Sequence, residues 1–490
     1  MAKVNRLQEE FRRMVRDRSR NMLAKGDCWT ISDAIPNLDA PLRNRGGWHH
    51  YSDDITPTVA TASYVISGIY AELLATPRLV VVDEDGNLAR VATDGTGDVT
   101  NIGAGVVTLQ NPVQLGGRIA IPASNGTTVP RTWDGTTLGD LTGSPPAGKY
   151  MGVWKALGLL ASSSAQPQRL YFTTADNNLQ SWDTTNTFWD FSYPIVGLAP
   201  LRNAILVYHD DYTSRLRGST PPPGGDLIAD DPLFNIGCAD ARSIAFWNEQ
   251  VVWAATDGLY ISDGIVPSDL TRLCGMKNYW QTLLGGYSPA TWTITAGIIR
   301  NSYVLSVMDG TTFKGAAIID LTKNAWVNVT NLDARAMWRT TALDGPERLF
   351  FGRRGAARVG ELSSMWTPSL TYKNDGNGTA VTMRLEVPFN EFNVGLDLVR
   401  DLYVTYSCDD ASDAISPTTL SVGYTTSPEA DTYTSVGSLA ASSAHTRKRV
   451  TINRTGLGFG VEIALVNASS DTRLWSIGAD GYGLEQDRLV

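Results

Sequence analysis

Leu79-Val-Val-Val-Asp83, followed after a glycine turn by Asp85-Gly-Asn-Leu-Ala-Arg-Val91, is the stretch that decides the fold. A short apolar run bounded by turn residues reads as a strand buried on both faces, and Asp-Gly-Asn reads as the turn into a second strand. The same unit returns along the chain. Its apolar strand is anchored at Val80, Ile119, Leu159, Ile205, Val251, Val304 and Leu349, in steps of 39, 40, 46, 46, 53 and 45 residues. Upstream strands such as Ile195-Val-Gly-Leu and Thr293-Ile-Thr-Ala-Gly precede the anchors. Strands such as Gly258-Leu-Tyr-Ile-Ser follow them.

A repeat of about 40 to 50 residues with about four strands is the signature of propeller blades. Seven anchors predict about seven blades over residues 61–370. Small sheets expose two faces each, and stacking them radially in a closed ring buries those faces. Trp133, Trp154, Trp182, Trp189, Trp247, Trp253, Trp292, Trp326 and Trp338 are then expected as wedges between blades. Gly218-Ser-Thr-Pro-Pro-Pro-Gly-Gly-Asp226, continued to Asp240, reads as a long excursion from the array.

Beyond a linker-like stretch at 371–379 the pattern changes to longer alternating strands. Val381–Val387, Leu398–Tyr406, Thr419–Tyr424, Arg447–Ile452, Gly460–Val466 and Leu474–Ile477 predict an antiparallel β-sandwich over 371–490. In front of the array, Val4, Leu7, Phe11, Met14 and Met22 fall at helical spacing among arginines. They predict a basic amphipathic helix over 1–26, stopped at Gly26, then an extended connector over 27–60. The expected fold class is all-β: propeller, then sandwich, with that short helix in front. Arg12, Arg13, Arg16, Arg20 and Phe11 are the candidate partner-binding residues on the helix.

The 490 residues carry 41 Lys and Arg against 50 Asp and Glu, a net charge of −9. Residues 1–25 hold eight basic and three acidic side chains, +5, which leaves −14 for the rest. A body that acidic is poorly suited to clamping nucleic acid, because phosphate affinity comes chiefly from Lys and Arg. It suits a surface past which a polyanion slides. Four scattered cysteines without CxxC spacing read as reduced. The absence of a basic-then-apolar leader or a run of about 18 apolar residues predicts a soluble chain made in a cytoplasm, with no membrane span.

Catalytic signals are missing. There are four histidines, and no GxSxG, HExxH, Walker or kinase-type set. His49 and His50, adjacent on an extended segment, point to opposite faces, so Trp48-His49-His50 with Asp53 and Asp54 is not expected to hold a metal. Val82-Asp-Glu-Asp-Gly-Asn87 starts like a calcium loop but lacks its closing glutamate and reads as a hairpin turn. Thr174-Ala-Asp-Asn-Asn-Leu-Gln-Ser-Trp182 loosely resembles an Asp-box turn, a structural device. No catalytic residue, cofactor or metal is expected.

Ile195-Val-Gly-Leu, Asn203-Ala-Ile-Leu-Val-Tyr208, Ile236-Gly-Cys-Ala-Asp-Ala-Arg-Ser-Ile-Ala245 and Thr256-Asp-Gly-Leu-Tyr-Ile-Ser-Asp-Gly264 resemble the propeller of phage tail nozzle, or packaged-DNA stabilisation, proteins. Thr446-Arg-Lys-Arg-Val-Thr-Ile-Asn-Arg-Thr-Gly-Leu-Gly-Phe-Gly460 and Ser476-Ile-Gly-Ala-Asp-Gly481 are similar to that family's closing strands. The basic N-terminal segment departs from the family pattern. The resemblance implies a virion protein of the tail, in a homo-hexameric ring below the portal and adaptor, with double-stranded DNA passing through its lumen without specific binding. Two other classes fit the residues: a receptor- or glycan-binding tail-tip protein using the 218–240 excursion, and a propeller-fold glycosidase with a carboxylate cluster near one mouth.

Overall fold

The computed structural model describes residues 3–8, 11, 13–17, 23, 27–36, 42–44, 49–52, 64–74, 76–92, 96–104, 107–340, 347–353, 358–362, 381, 383–389, 397–408, 419–426, 432–440, 446–456, 459–466 and 472–483. Five separate four-stranded antiparallel sheets cover Val65–Ala104, Val113–Asp140, Tyr150–Asp190, Gly197–Phe234 and Ala245–Asp269. A sixth four-stranded unit, Trp292–Val329, is part of a larger sheet. In the seventh, the strands Ala334–Thr340, Arg348–Arg353 and Val359–Glu361 take their fourth, outermost strand from His49–His50. Each of the seven anchors lies on the second strand of its blade.

The seams between blades explain the apolar runs. Side chains alternate across a strand, so Leu79 and Val81 pack with Trp338 and Phe350 of blade 7. Val80 and Val82 pack with Ile119, Ile121 and Trp133 of blade 2. The alternation passes round the ring: Leu160 joins blade 2, Leu159 and Ala161 join blade 4, and Leu206 and Tyr208 join blade 5. Val252 and Ala254 join blade 6, which also receives Leu349 and Phe351 of blade 7. The ring therefore closes. First strands of neighbouring blades lie side by side around the axis except between blades 1 and 2 and between blades 4 and 5, and fourth strands face outward.

Seven of the nine candidate wedge tryptophans are buried, with Trp189 and Trp247 partly so. One of these tryptophans fits tightly at the closing seam. There, a Cβ on Gly68 of blade 1 would stand 2.4 Å from Cε2 of Trp338.

Among the described residues of the segment before the ring there is no helix. Lys3–Gln8 is a strand paired antiparallel with Ile477–Tyr482 of the long strand Thr472–Gly483. Arg13–Met14 pairs in parallel with Asp27–Cys28. Of the apolar residues at helical spacing, Phe11 and Met14 are buried singly, as is the neighbouring Val15, Val4 and Leu7 lie on the strand Lys3–Gln8, and Met22 lies outside the described residues. Tertiary pairing overrides local periodicity here. The supposed connector is likewise built in. Thr30–Ser32 lies between the outer strand of blade 6 and Arg384–Phe389, which makes one nine-stranded sheet running from the propeller into the sandwich. This sheet crosses the boundary suggested by the change of pattern at 371, and the 371–379 stretch itself lies outside the described residues.

The six strands expected after that boundary are present, with Thr434–Ala440 as a further edge strand. The second sandwich sheet runs Thr446–Gly456, Asp397–Cys408, Thr472–Gly483, Leu42–Asn44, Ala34–Pro36. Leu402, Val404, Leu474 and Ile477 on this sheet and Leu385, Val422, Val461 and Ile463 on the other are fully or almost fully buried in one core. Among the described residues no helix is long and apolar enough to cross a membrane.

A turn device recurs at the third-to-fourth-strand hairpins. Asp134 accepts from the amides of Thr136 (3.0 Å) and Thr137 (2.8 Å), Asp183 from Thr185 and Asn186, and Asp320 from Thr322 and Lys323. In blade 5, Asp263 accepts from Ile265. These are Asx turns.

Two outcomes are expected. Gly68→Val drives a branched side chain into the Trp338 ring and lowers stability by about 1–3 kcal/mol, read as a shift in urea midpoint. The second concerns acid. The Thr137 amide, with the Thr136 hydroxyl and amide, holds the Asp134 carboxyl down to about 2. A depressed folded-state value means stability that is complete above the unfolded value of about 4 and lost as pH falls through about 2. The Tm gap between the wild type and Asp134→Ala should therefore narrow across that window.

Candidate functional site at the propeller axis

A propeller's axis, where its first strands converge, is the natural place for a ligand. Here two connectors fill it. Thr108–Asn111 leads into blade 2. The Asn111 side chain accepts from the Gly68 amide of blade 1 (3.2 Å) and donates to the Met337 carbonyl of blade 7 (2.7 Å). Gln110 donates from Nε2 to the Met151 carbonyl of blade 3 (2.8 Å) and accepts at its own carbonyl from Ser67 of blade 1 (3.1 Å). Two residues thus tie four blades together.

The second connector, Gly237–Ile244, leads into blade 5 through a single 3-10 turn, Ala241–Ser243, capped by Asp240. Asp240 Oδ2 accepts from the Ile294 amide of blade 6 (3.0 Å) and from Arg242 Nη2 (2.7 Å). Side-chain exposures of 9% for Asp240 and 16% for Arg242 make this a largely buried pair. Ala241 lies against Gly197 of blade 4, where an added Cβ would sit 3.6 Å from it. Burial pushes the Tyr150 hydroxyl of blade 3 up, and the Asp240 carboxylate adds to the shift. Around this core the Tyr287 hydroxyl donates to the Ala239 carbonyl and Tyr303 to Ser243. Arg242 neutralises Asp240, and the carboxylate also accepts from the Ile294 and Arg242 amides. The arrangement stiffens the ring.

Other candidate chemistry resolves in the same structural direction. Phe11 is fully buried. The Arg16 guanidinium stands 4.5 Å over the Trp29 ring and donates to Thr30 (3.0 Å), and its amide donates to the Gly275 carbonyl. Arg13 lies on the strand Arg13–Met14, while Arg12 and Arg20 lie outside the described residues. Phe11 and Arg16 are therefore engaged within the chain and do not form a free docking face. His49 pairs with Glu361 (3.3 Å) on the closing strand. Among the described residues no cluster of three His, Cys, Asp or Glu forms a metal site.

His209, Ser214 and Asp231 share one hydrogen-bonded chain, but in an order unlike a nucleophilic triad. His209 Nδ1 contacts the Pro194 carbonyl (2.8 Å) and Nε2 contacts Ser214 Oγ (3.1 Å). Ser214 donates to Asp231 (2.6 Å). The carboxylate thus takes the serine proton, and Ser214 and His209 are buried. Burial holds the His209 pKa below its ordinary value.

The 218–240 excursion is largely the last hairpin of blade 4. Asp226 accepts from the Ser219 and Thr220 amides (2.7 and 2.6 Å), Lys155 donates to Gly218 (2.8 Å), and Ile228–Phe234 is the fourth strand. Asp83 binds both the amide and side chain of Asn87, each at 2.8 Å, which closes the calcium-like stretch as a hairpin. An open cleft of about 640 Å³ between blades 2 and 3, lined by Thr127, Ser144, Ser164, Gln166 and Tyr171 among others, has no charged lining.

The ring, its filled axis and the attached sandwich define the class: an all-β, closed seven-bladed propeller joined to an antiparallel sandwich. No family model matches the chain, and no curated protein matches it in sequence. Among solved structures the chain is similar to BamB from Moraxella catarrhalis, with 11% identity, 67% of this chain and 92% of that one covered, and a TM-score of 0.38. It is also similar to BBS1N in its complex with ARL6DN (12%, 66% and 99%, TM-score 0.41) and to the computationally designed Ika8 protein (11%, 64% and 99%, TM-score 0.40).

Asp240→Ala strands the Arg242 guanidinium in the ring and should cost about 3–5 kcal/mol, whereas Asp240→Ala with Arg242→Met removes both charges and should regain most of that loss. Denaturant midpoints of the two variants measure the difference.

Proposed function

We propose that the chain is a structural virion protein of a phage tail, a nozzle subunit that assembles in a ring of six below the portal and adaptor and through which double-stranded genomic DNA is retained and ejected. The observation that carries this reading is where the family-like segments fall. Ile236–Ala245 contains the axial connector with Asp240, Arg242 and Ser243. Asn203–Tyr208 contains the second strand of blade 4, buried at both seams. Thr256–Gly264 ends at the carbonyl that receives Arg215 Nη1 of blade 4 (2.7 Å). Thr446–Gly460 spans an edge strand of one sandwich sheet and the start of a strand in the other. A likeness concentrated at seams and axis is a likeness in construction, which is what a scaffold subunit has to share with its kind.

The filled axis refines the proposal. A duplex cannot thread one propeller, so the lumen is bounded by several copies in a closed ring, joined through heterologous contacts. Cryo-EM of the source particle tests this. The expected result is a ring on the portal axis with a copy number divisible by six. A position off that axis, or another copy number, overturns the proposal.

A further inference from the structure

The basic charge of this acidic chain is not confined to its first residues. The strand Thr446–Gly456 reads TRKRVTINRTG, four basic side chains and no acidic one, and Arg447, Lys448, Arg449 and Arg454 are all exposed. It is the terminal strand of its sheet, and among the described residues no strand lies beyond it. Arg449 is paired with Asp401 (2.7 Å). Arg447 instead lies 4.6 Å over the Tyr403 ring, and Arg454 meets the Tyr424 hydroxyl (3.0 Å). No described carboxylate pairs with Arg447, Lys448 or Arg454, whereas Arg118, Arg131, Arg169, Arg215 and Arg242 in the propeller are each ion-paired.

We propose that this exposed edge strand is a docking surface for the phosphodiester backbone of a nucleic acid, with Arg447 and Arg449 leaving it on the outer face and Lys448 and Arg454, in register with the core residues Val404 and Val399, on the other. Arg447 and Arg449 project from one face two residues apart, about 7 Å along the strand, the order of spacing of successive phosphates on an extended backbone. The register sets Tyr403 opposite Arg449 and Thr405 opposite Arg447, and Ser476 donates to Thr405 (2.9 Å). Guanidinium, hydroxyl and aromatic groups on a flat sheet are the set that contacts phosphate and sugar without reading bases. Charge complementarity selects this occupant over an apolar partner. A row of charges also protects an open sheet edge from stray pairing, but that role needs no affinity for phosphate, so binding separates the two. The proposal rests on this edge strand alone and not on the tail reading, whose test concerns position in a particle.

The test is fluorescence anisotropy of a short labelled DNA duplex with the full chain across a salt series. Four phosphate contacts predict a slope of log K against log salt of about −3 to −4. Arg447→Gln, Lys448→Gln and Arg454→Gln combined should reduce the slope to about −1. Lys448→Gln alone should remove about one unit, which guards against misfolding of the triple variant, and Arg202→Gln, at an exposed pair with Glu249 on the propeller, should change nothing. The proposal fails if low-salt binding is absent, if the Lys448 variant keeps the full slope, or if poly-glutamate competes as well as DNA does.

Discussion

The second strand of each blade has no solvent face. Its odd and even residues enter different seams, so no blade has a complete core without its neighbours, and a gap anywhere in the circle would open two apolar surfaces at once. Closure is therefore the condition on which the propeller depends. It is met by the two-residue strand His49–His50, whose register partners are Gly360 and Glu361. The neighbouring Tyr51 packs at 4.7 Å on Phe350, and the Ser52 hydroxyl accepts from the Val359 amide. The seal is small in length, but side chains on both sides of it reinforce it.

The ring was legible in the sequence because burial on both faces leaves uninterrupted apolar runs at a regular period, and Val80 to Leu349 all proved to be second strands. The N-terminal segment misled for an equally physical reason. Phe11, Met14 and Val15 are buried against parts of the chain hundreds of residues away, beside Gly275 and within the core shared with Trp280 and Ile463. A spacing that fits a helix face also fits a string of isolated anchors. Nor did local composition reveal that Gln110, Asn111, Asp240 and Arg242 converge, since they come from two connectors far apart in the chain. One signal was available and unused: Asp134-Gly-Thr-Thr, Asp183-Thr-Thr-Asn and Asp320-Leu-Thr-Lys fall at matching hairpins of blades 2, 3 and 6.

These aspartates change the meaning of the acidic balance. Asp134, Asp183, Asp226, Asp263 and Asp320 are committed to turn amides, and Asp190, Asp230, Asp240 and Asp401 to arginines. Much of the negative charge in the described body is thus a by-product of building hairpins and bracing strands. Where charge is left without an internal partner on the sandwich edge it is positive, so the sign of the total says little about any one surface.

The pairings of Lys3–Gln8 and His49–His50 also set an order in time. His49–His50 pairs with residues about 310 positions later, and Lys3–Gln8 with the strand ending at Gly483. During synthesis His49–His50 must wait, unpaired, until blade 7 has emerged, and Lys3–Gln8 until the strand ending at Gly483 has, while blades 1 to 5 can form from contiguous sequence. Pairings of such long range form slowly and leave strand edges exposed meanwhile. The nascent chain is therefore most vulnerable to misassembly at these early strands, and its maturation is governed by the moment at which their late partners arrive to receive them.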